Sequence, residues 1–292
     1  MQCNTMRVKI GSNDLVLETG SLAKQASGSV TVHYGGTVVL VTACMSKTAR
    51  EGIDFFPLTV ECQEKTYAAG RIPGGFFKRE GKPSESEILN ARLIDRPVRP
   101  LFPKGIYNDV QIMAIVLSSD GENESDILGV IGASAALTIS DIPFNGPLGC
   151  CRVAHVNGEF VVNPTYKQIE ESVLEVVMAA KSDGVVMLES RGREVSEELY
   201  IQAARLAFEQ VQPIINLQKE FAKKFGRQKR EMTYKLLDPK LCAKVESLSA
   251  ERLKEVYKLS KKEEREEAVS ILAKELESAL TAEGHEAADI KS

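Results

Sequence analysis

Residues 110–140 read VQIMAIVLSSDGENESDILGVIGASAALTIS, and this stretch decides the fold class. Its opening eight residues are mostly apolar, which predicts a strand over residues 110–117. A polar turn follows, and the apolar segment 125–140 predicts a buried helix. Small residues at 132–136 allow a neighbouring element to approach that helix closely. A strand next to a buried helix indicates a fold that mixes both kinds of element.

The segments on both sides continue this mixture. Toward the amino terminus, short β-type runs separated by turn residues predict strands, and the four consecutive aliphatic residues at 38–41 indicate one buried on both faces. Toward the carboxyl terminus, strands are predicted at about 149–156, 159–163, 173–180 and 184–189, followed by a helix over 196–224. The whole pattern predicts an α+β fold with one main mixed sheet and packed helices.

A change in composition near residue 226 predicts a second domain. Residues 227–230 form a basic segment poor in apolar residues, which we interpret as a linker. From residue 238 onward, Leu, Ala, Glu and Lys recur at helical spacing. We therefore predict a mixed core at 1–230 and a small all-α domain at 231–292, which we expect to be incomplete.

Composition excludes several classes of protein. The chain has 292 residues, of which 43% are hydrophobic and 27% charged, which is the balance of a globular protein that folds without disulfides. Its six cysteines form no C-x-x-C pair and its three histidines lack zinc spacing, so no metal site is expected. Neither a secretory leader nor a long apolar span is evident. We expect a cytoplasmic protein with no membrane partner.

The segment 71–104 is a basic island in an acidic chain. It holds eight basic and four acidic residues, whereas the whole chain carries a formal charge of -4. Within it, Phe76 and Phe77 precede Lys78 and Arg79 on a loop rich in glycine. Two aromatic rings beside two cations suit the bases and phosphates of a single-stranded nucleic acid. The alternative is a structural latch, with both rings tucked under the loop.

A helix is predicted after this loop. Ser84 and Glu87 form a capping-box pattern at its start, and Pro97 is expected to end it at residues 95–96.

Three arginines of this helix, Arg92, Arg96 and Arg99, fall on one face at helical spacing. Guanidinium groups match phosphate oxygens well, so this stripe is a candidate phosphate contact. The alternative is an ion-pair ladder in which Asp95 reaches Arg92 and Arg99. From the residues alone both interpretations stay open.

Common catalytic motifs are missing. No nucleophile elbow, Walker loop or dinucleotide fingerprint occurs, and no histidine has the setting of a general base. Glu170, Glu171 and Glu175 form an acidic cluster, with Glu171 and Glu175 expected on one strand face. It could bind a metal, but a position at a surface edge is the favoured interpretation. No catalytic residue is assigned.

Four segments carry a resemblance to a known family. They are AGRIPGGFFKREGKPSE at 69–85, ARLIDRPVRPLF at 91–102, IGASAAL at 131–137 and IPFNGPLG at 142–149. The chain resembles the bacterial polynucleotide phosphorylases, also called polyribonucleotide nucleotidyltransferases. The resemblance runs from residue 6 to about 224 and more weakly through the helical tail. It implies a ribonuclease PH-like core followed by part of an all-α domain.

The resemblance also implies a function. Such enzymes are homotrimers that degrade single-stranded RNA from its 3′ end with phosphate and Mg²⁺ or Mn²⁺, releasing nucleoside diphosphates. They act in mRNA catabolism, and an RNA-degradation complex is a further expected partner. Each chain has two similar cores, and the metal and active site belong to the second core, which this sequence does not contain. We therefore expect no cofactor here and an RNA-gripping, ring-forming first core that is inactive alone.

The residues show where the chain departs from that family. The active core has a G-D-x-D-F-K run, whereas the matching strand here has only Glu175 as a carboxylate and Val177 in place of the lysine. The alternative function is a non-catalytic RNA-binding or ring-forming module of exosome-like type. By the resemblance, the expected RNA-binding residues are Phe76, Phe77, Lys78, Arg79, Arg92 and Arg96.

Overall fold

The computed structural model describes residues 4–50, 52–53, 55–76, 80–234, 236–284 and 290. Contacts divide the chain into two compact units, Met1–Met232 and Thr233–Ser292. The domain boundary proposed from the sequence stays a prediction. No helix in these described ranges is both long enough and apolar enough to cross a bilayer.

A six-stranded sheet forms one layer of the first unit. Its order is β1-β2-β3-β4-β6-β5, and all neighbours are antiparallel except the parallel pair β5 and β6. The strands are β1 Asn4–Ile10, β2 Asn13–Thr19, β3 Gly28–Tyr34, β4 Thr37–Ala49, β5 Leu58–Glu64 and β6 Asn108–Ser118.

A second sheet of four strands lies in the same unit. Its antiparallel order is β10-β9-β7-β8, with β7 Gly149–Val156, β8 Glu159–Val162, β9 Leu174–Ala180 and β10 Val185–Gly192. The mixed α+β class is confirmed, but the expectation of one main sheet is wrong. Local patterns predict each strand, whereas the way strands divide between two sheets depends on tertiary packing.

Helices cover the two sheets. They are α1 Glu85–Val98, α2 Asp126–Ile139, α3 Tyr166–Glu171 and α4 Glu197–Phe225. Helix α2 is almost wholly buried and packs against β3, β4, β7 and α4. Its close approach to the six-stranded sheet depends on Gly132, where a Cβ atom would overlap the Val41 side chain. The small residues therefore have the packing role that the sequence indicated.

Helix α1 starts as predicted and ends later than predicted. The Ser84 hydroxyl accepts from the Glu87 N–H at 3.1 Å, and the Glu87 carboxylate accepts from the Ser84 N–H at 2.6 Å. The predicted stop before Pro97 is wrong, since the helix runs to Val98. Pro97 occupies the last turn, where its φ is helical and only one backbone bond is lost. Burial of Ile94 and Val98 fixes that turn.

Residues 227–230 are anchored rather than forming a free linker. The Lys229 ammonium donates to the carbonyls of Leu137, Thr138 and Ser140 at 2.7, 3.1 and 2.8 Å. Arg230 binds the carboxylate of Asp141 at 2.8 Å. The Lys229 bonds satisfy carbonyls left open at the end of α2. The second unit contains two helices that contact each other, α5 Pro239–Val256 and α6 Lys262–Ala282.

Candidate nucleic-acid interface

The glycine-rich loop projects the Phe76 ring into solvent, with 94% of the residue exposed. This exposure does not fit the alternative in which that ring is tucked beneath the loop. Phe77, Lys78 and Arg79 lie outside the described residues, so their predicted roles stay predictions.

Glu80 fixes the chain directly after this loop. Its carboxylate accepts from the Lys65 ammonium at 2.9 Å and from the Thr66 N–H at 2.8 Å. The hydrogen bond from Lys65, followed by that from Thr66, lowers the pKa of Glu80. These bonds tie the end of the loop to the short 3₁₀-helix Thr66–Ala69, which follows β5.

Arg92 and Arg96 line one cavity of about 610 Å³ between α1 and β10. Arg96 makes an ion pair with Glu189 of β10, across the cavity. Arg92 makes no ion pair with any residue in the described part of the chain. The structure thus brings together these two predicted arginines and leaves one of them available to a ligand.

Arg99 does not join them. Its guanidinium binds the Asp95 carboxylate at 2.7 and 2.9 Å and donates to the carbonyls of Phe56 and Leu58. The predicted stripe of three arginines is therefore wrong for Arg99, and the ion-pair alternative is right for it. That alternative does not extend to Arg92, because no contact joins it to Asp95 among the described side chains.

The floor of the cavity is a charge cluster around Arg152, which sequence reasoning missed. Arg152 lies on β7 with only 8% of its side chain exposed. Its guanidinium contacts Glu124, Asp126 at 2.6 Å and Glu175 at 2.9 Å. The signal was a charged residue inside the apolar strand sequence GCCRVAHV, since a buried charge needs partners.

Three different elements supply these carboxylates. Glu124 precedes α2, Asp126 is in the first turn of α2, and Glu175 lies on β9. Glu175 also receives Arg191, its cross-strand neighbour on β10, at 3.1 Å. Arg152 therefore joins the four-stranded sheet to the start of α2, and this explains why no spacing along the sequence indicated the cluster.

Burial sets the electrostatics of this cluster. Desolvation raises the pKa of Asp126 to about 6, against the hydrogen bond from the Ile127 N–H, and the charge of Glu175 raises it further. Desolvation likewise lowers the pKa of Arg152, which a guanidinium tolerates because its pKa lies so far above neutrality. The Arg152 charge is therefore retained at neutral pH and balances carboxylates that water reaches poorly.

The predicted acidic cluster at residues 170–175 does not form. Glu170 and Glu171 lie in α3, whereas Glu175 lies on β9 and points at Arg152. The surface-edge interpretation is wrong for Glu175, because its side chain is only 15% exposed. Among the described residues, no group of three or more His, Cys, Asp or Glu side chains is arranged to hold a metal ion.

Comparisons with known proteins agree with this architecture. Two models match the chain, the 3′ exoribonuclease family domain 1 at residues 12–143 and domain 2 at residues 146–210. Rice (Oryza sativa) Rrp46 has a similar fold, with a TM-score of 0.58 at 13% identity, over 73% of this chain and 96% of that one.

Longer relatives match almost the whole chain. Polyribonucleotide nucleotidyltransferase of Geotalea uraniireducens is 48% identical over 95% of this chain and 40% of its own length. The enzyme of the same name from Geobacter sulfurreducens is 50% identical over 94% of this chain and 40% of its own length. The chain thus spans well under half the length of these curated relatives.

Proposed function

Because this chain belongs to the 3′ exoribonuclease family, we propose that it is the RNA-binding first core of a phosphorolytic 3′-to-5′ exoribonuclease. The resemblance stated from residues 69–149 is confirmed by relatives named polyribonucleotide nucleotidyltransferase. The proposed enzyme degrades single-stranded RNA with phosphate and releases nucleoside diphosphates. In this proposal the present chain supplies RNA contacts and not the catalytic centre.

The position of Arg152 carries the catalytic half of this proposal. A divalent ion needs several oxygen ligands that converge on one point. The carboxylates of Glu124, Asp126 and Glu175 instead converge on a guanidinium. Mg²⁺ or Mn²⁺ therefore does not fit this cluster, and we place the metal of the proposed enzyme outside this chain.

The cavity between α1 and β10 supports the RNA half. Arg92 and Arg96 project into it from successive turns of α1, and Arg92 has no carboxylate partner among the described residues. Phe76 adds an exposed aromatic ring on the loop that precedes α1. Stacking surfaces together with arginines are the usual means of binding a single strand without sequence preference.

An assay of phosphorolysis and RNA binding tests both halves. The chain, freed of any longer relative, should release no nucleoside diphosphate from poly(A) with phosphate and Mg²⁺, yet should bind the RNA. Arg92→Ala should weaken binding and reduce the slope of log affinity against log salt by about 0.7. Arg7→Ala is a control on β1, at the opposite sheet edge from β5. Phosphate-dependent turnover by the chain, or RNA binding by Arg92→Ala that equals that of wild type, contradicts the proposal.

The loop residues outside the described ranges have their own test. Phe77→Ala should weaken RNA binding by roughly 1 to 3 kcal/mol without changing the salt slope, since stacking releases no counterions. Arg79→Ala should weaken binding and flatten the slope. If Phe77 is instead a structural latch, its removal lowers stability by about 3 to 5 kcal/mol and leaves the affinity of the folded protein unchanged.

Partners and location complete the proposal. We place the chain in a homotrimer, beside a second core of the same polypeptide, with an RNA-degradation complex as a further partner. We also propose a cytoplasmic location.

A further inference from the structure

Glu189 lies beside Arg96, one of the two arginines proposed to contact RNA phosphates. It projects from β10 into the cavity and pairs with Arg96 of α1 on the opposite wall. Arg191, two residues further along β10, lines the same cavity and is held by Glu175. The proposed RNA contact Arg96 is therefore already occupied by a carboxylate of the protein.

The charges lining the cavity are nearly balanced. Four arginines and three carboxylates line it: Arg92, Arg96, Arg152, Arg191, Asp126, Glu175 and Glu189. Three of these arginines have a carboxylate partner, and only Arg92 has none in the described structure. A phosphate that binds Arg96 must first displace Glu189.

The exposure of the pair makes that displacement feasible. The Arg96 side chain is 58% exposed and that of Glu189 is 40% exposed. An ion pair so open to solvent contributes little, because water screens the attraction and both side chains lose rotamer freedom. Carboxylate and phosphate also present two oxygens to the guanidinium in the same way. Arg152, in contrast, is too buried to exchange its partners.

We propose that Glu189 competes with RNA phosphate for Arg96, so that the RNA-free protein holds this arginine in an internal ion pair. Binding of a single strand exchanges the carboxylate for a phosphate. This inference rests on the proposed RNA-binding function. It identifies Glu189 as a residue that weakens RNA binding although it belongs to the binding cavity.

A structural clasp is the competing explanation. Because Glu189 joins β10 to α1, the pair could serve only to hold the cavity walls together. Removal of the carboxylate would then lower stability and weaken RNA binding. Competition predicts the opposite change in affinity, so the sign of the effect separates the two explanations.

The test compares Glu189→Gln with wild type, Arg96→Ala and the double variant in the full chain. The probe is a fluorescent poly(A) oligonucleotide, with affinity measured by anisotropy at several KCl concentrations and melting temperature measured in parallel. Competition predicts about two- to fivefold tighter binding for Glu189→Gln, the range for losing an exposed ion pair. Its salt slope should steepen by up to about 0.7. In the Arg96→Ala background the same substitution should have no effect beyond that of the control.

Glu159→Gln is the matched control. It removes the same charge from an exposed residue of β8, at the opposite edge of the four-stranded sheet. If Glu189→Gln binds no more tightly than Glu159→Gln while Arg92→Ala still weakens binding, the competition is refuted and the RNA site stands. Weaker RNA binding by Glu189→Gln together with a lowered melting temperature identifies the structural clasp, and it also refutes the competition. If neither Arg92→Ala nor Arg96→Ala weakens binding, the proposed RNA site itself fails.

Discussion

Replacement of the buried arginine, Arg152→Met, tests the charge cluster directly. Methionine has an apolar side chain of similar length, so the substitution fills the same space. It removes the cation that Glu124, Asp126 and Glu175 share. Breaking a buried ion pair by removing one partner costs about 3 to 5 kcal/mol, because the other charge stays buried and uncompensated. Against a typical stability of roughly 5 to 15 kcal/mol, that loss is large and still leaves a measurable folded population.

Arg191→Met is the matched control for this substitution. Arg191 binds the same carboxylate, Glu175, but its own side chain is 69% exposed. A pair so open to solvent contributes about 0 to 1 kcal/mol. Urea unfolding of the two variants near neutral pH should therefore give losses of unfolding free energy that differ by about 2 kcal/mol or more.

The pH dependence supplies an independent check. Burial raises the pKa of Asp126 to about 6 in the folded chain, whereas an unfolded aspartate titrates near pH 3.9. A carboxyl group whose pKa is raised by folding contributes stability at low pH and loses it as pH rises through the folded value. Without Arg152 the pKa of Asp126 should move higher still, so the stability deficit of Arg152→Met should grow as the pH rises above about 6.

The outcome that refutes this reasoning is specific. A loss equal to that of Arg191→Met, or one that does not change with pH, would mean that the carboxylates are not confined as the structure shows. The double variant Arg152→Met with Glu175→Gln should recover part of the loss, because one fewer carboxylate is left unpaired.

Three further substitutions follow from single contacts. Lys229→Met should lower the free energy of unfolding, measured in urea, by about 1 to 3 kcal/mol, because three carbonyls at the end of α2 lose their donor. Lys224→Met, near the end of α4, is the control. Gly132→Ala should cost about 1 to 3 kcal/mol by overlap with Val41, whereas Gly74→Ala, in open space, should change stability little. Burial raises the pKa of Asp120, but N–H donors from Asn123, Glu122 and Gly36 lower it more, to well below its usual range. Asp120→Asn should therefore lower the free energy of unfolding by about 1 kcal/mol near neutrality. In acid unfolding, the difference from wild type should shrink below about pH 4.

Features set by neighbours along the chain were predictable. The capping box at Ser84, the strand β6 and the buried helix α2 all follow from residues that are near one another in sequence. The placement of Arg92 and Arg96 on one wall follows from helical spacing in the same way. For Arg99, the partner four residues earlier was one of the two alternatives that the pattern offered.

Features set by distant partners were not predictable. The ion pair between Arg96 and Glu189 and the cluster around Arg152 join residues far apart in sequence. The anchoring of Lys229 at the end of α2 likewise needs the two elements to be placed first. Pro97 was misjudged because a local rule about helix ends ignored the burial of Ile94 and Val98.

Burial separates the two kinds of arginine in this cavity and thereby their chemistry. Arg152 is enclosed by carboxylates and costs several kcal/mol to remove, so it acts as a fixed internal cation. Arg96 has one carboxylate partner and lies mostly in water, so that partner can be exchanged for another anion at little cost. The same type of side chain therefore has two roles: Arg152 fixes the floor of the cavity, and Arg96 provides a replaceable contact on its wall. For that reason substitution of Arg152 should lower stability, and substitution of Arg96 should lower RNA affinity.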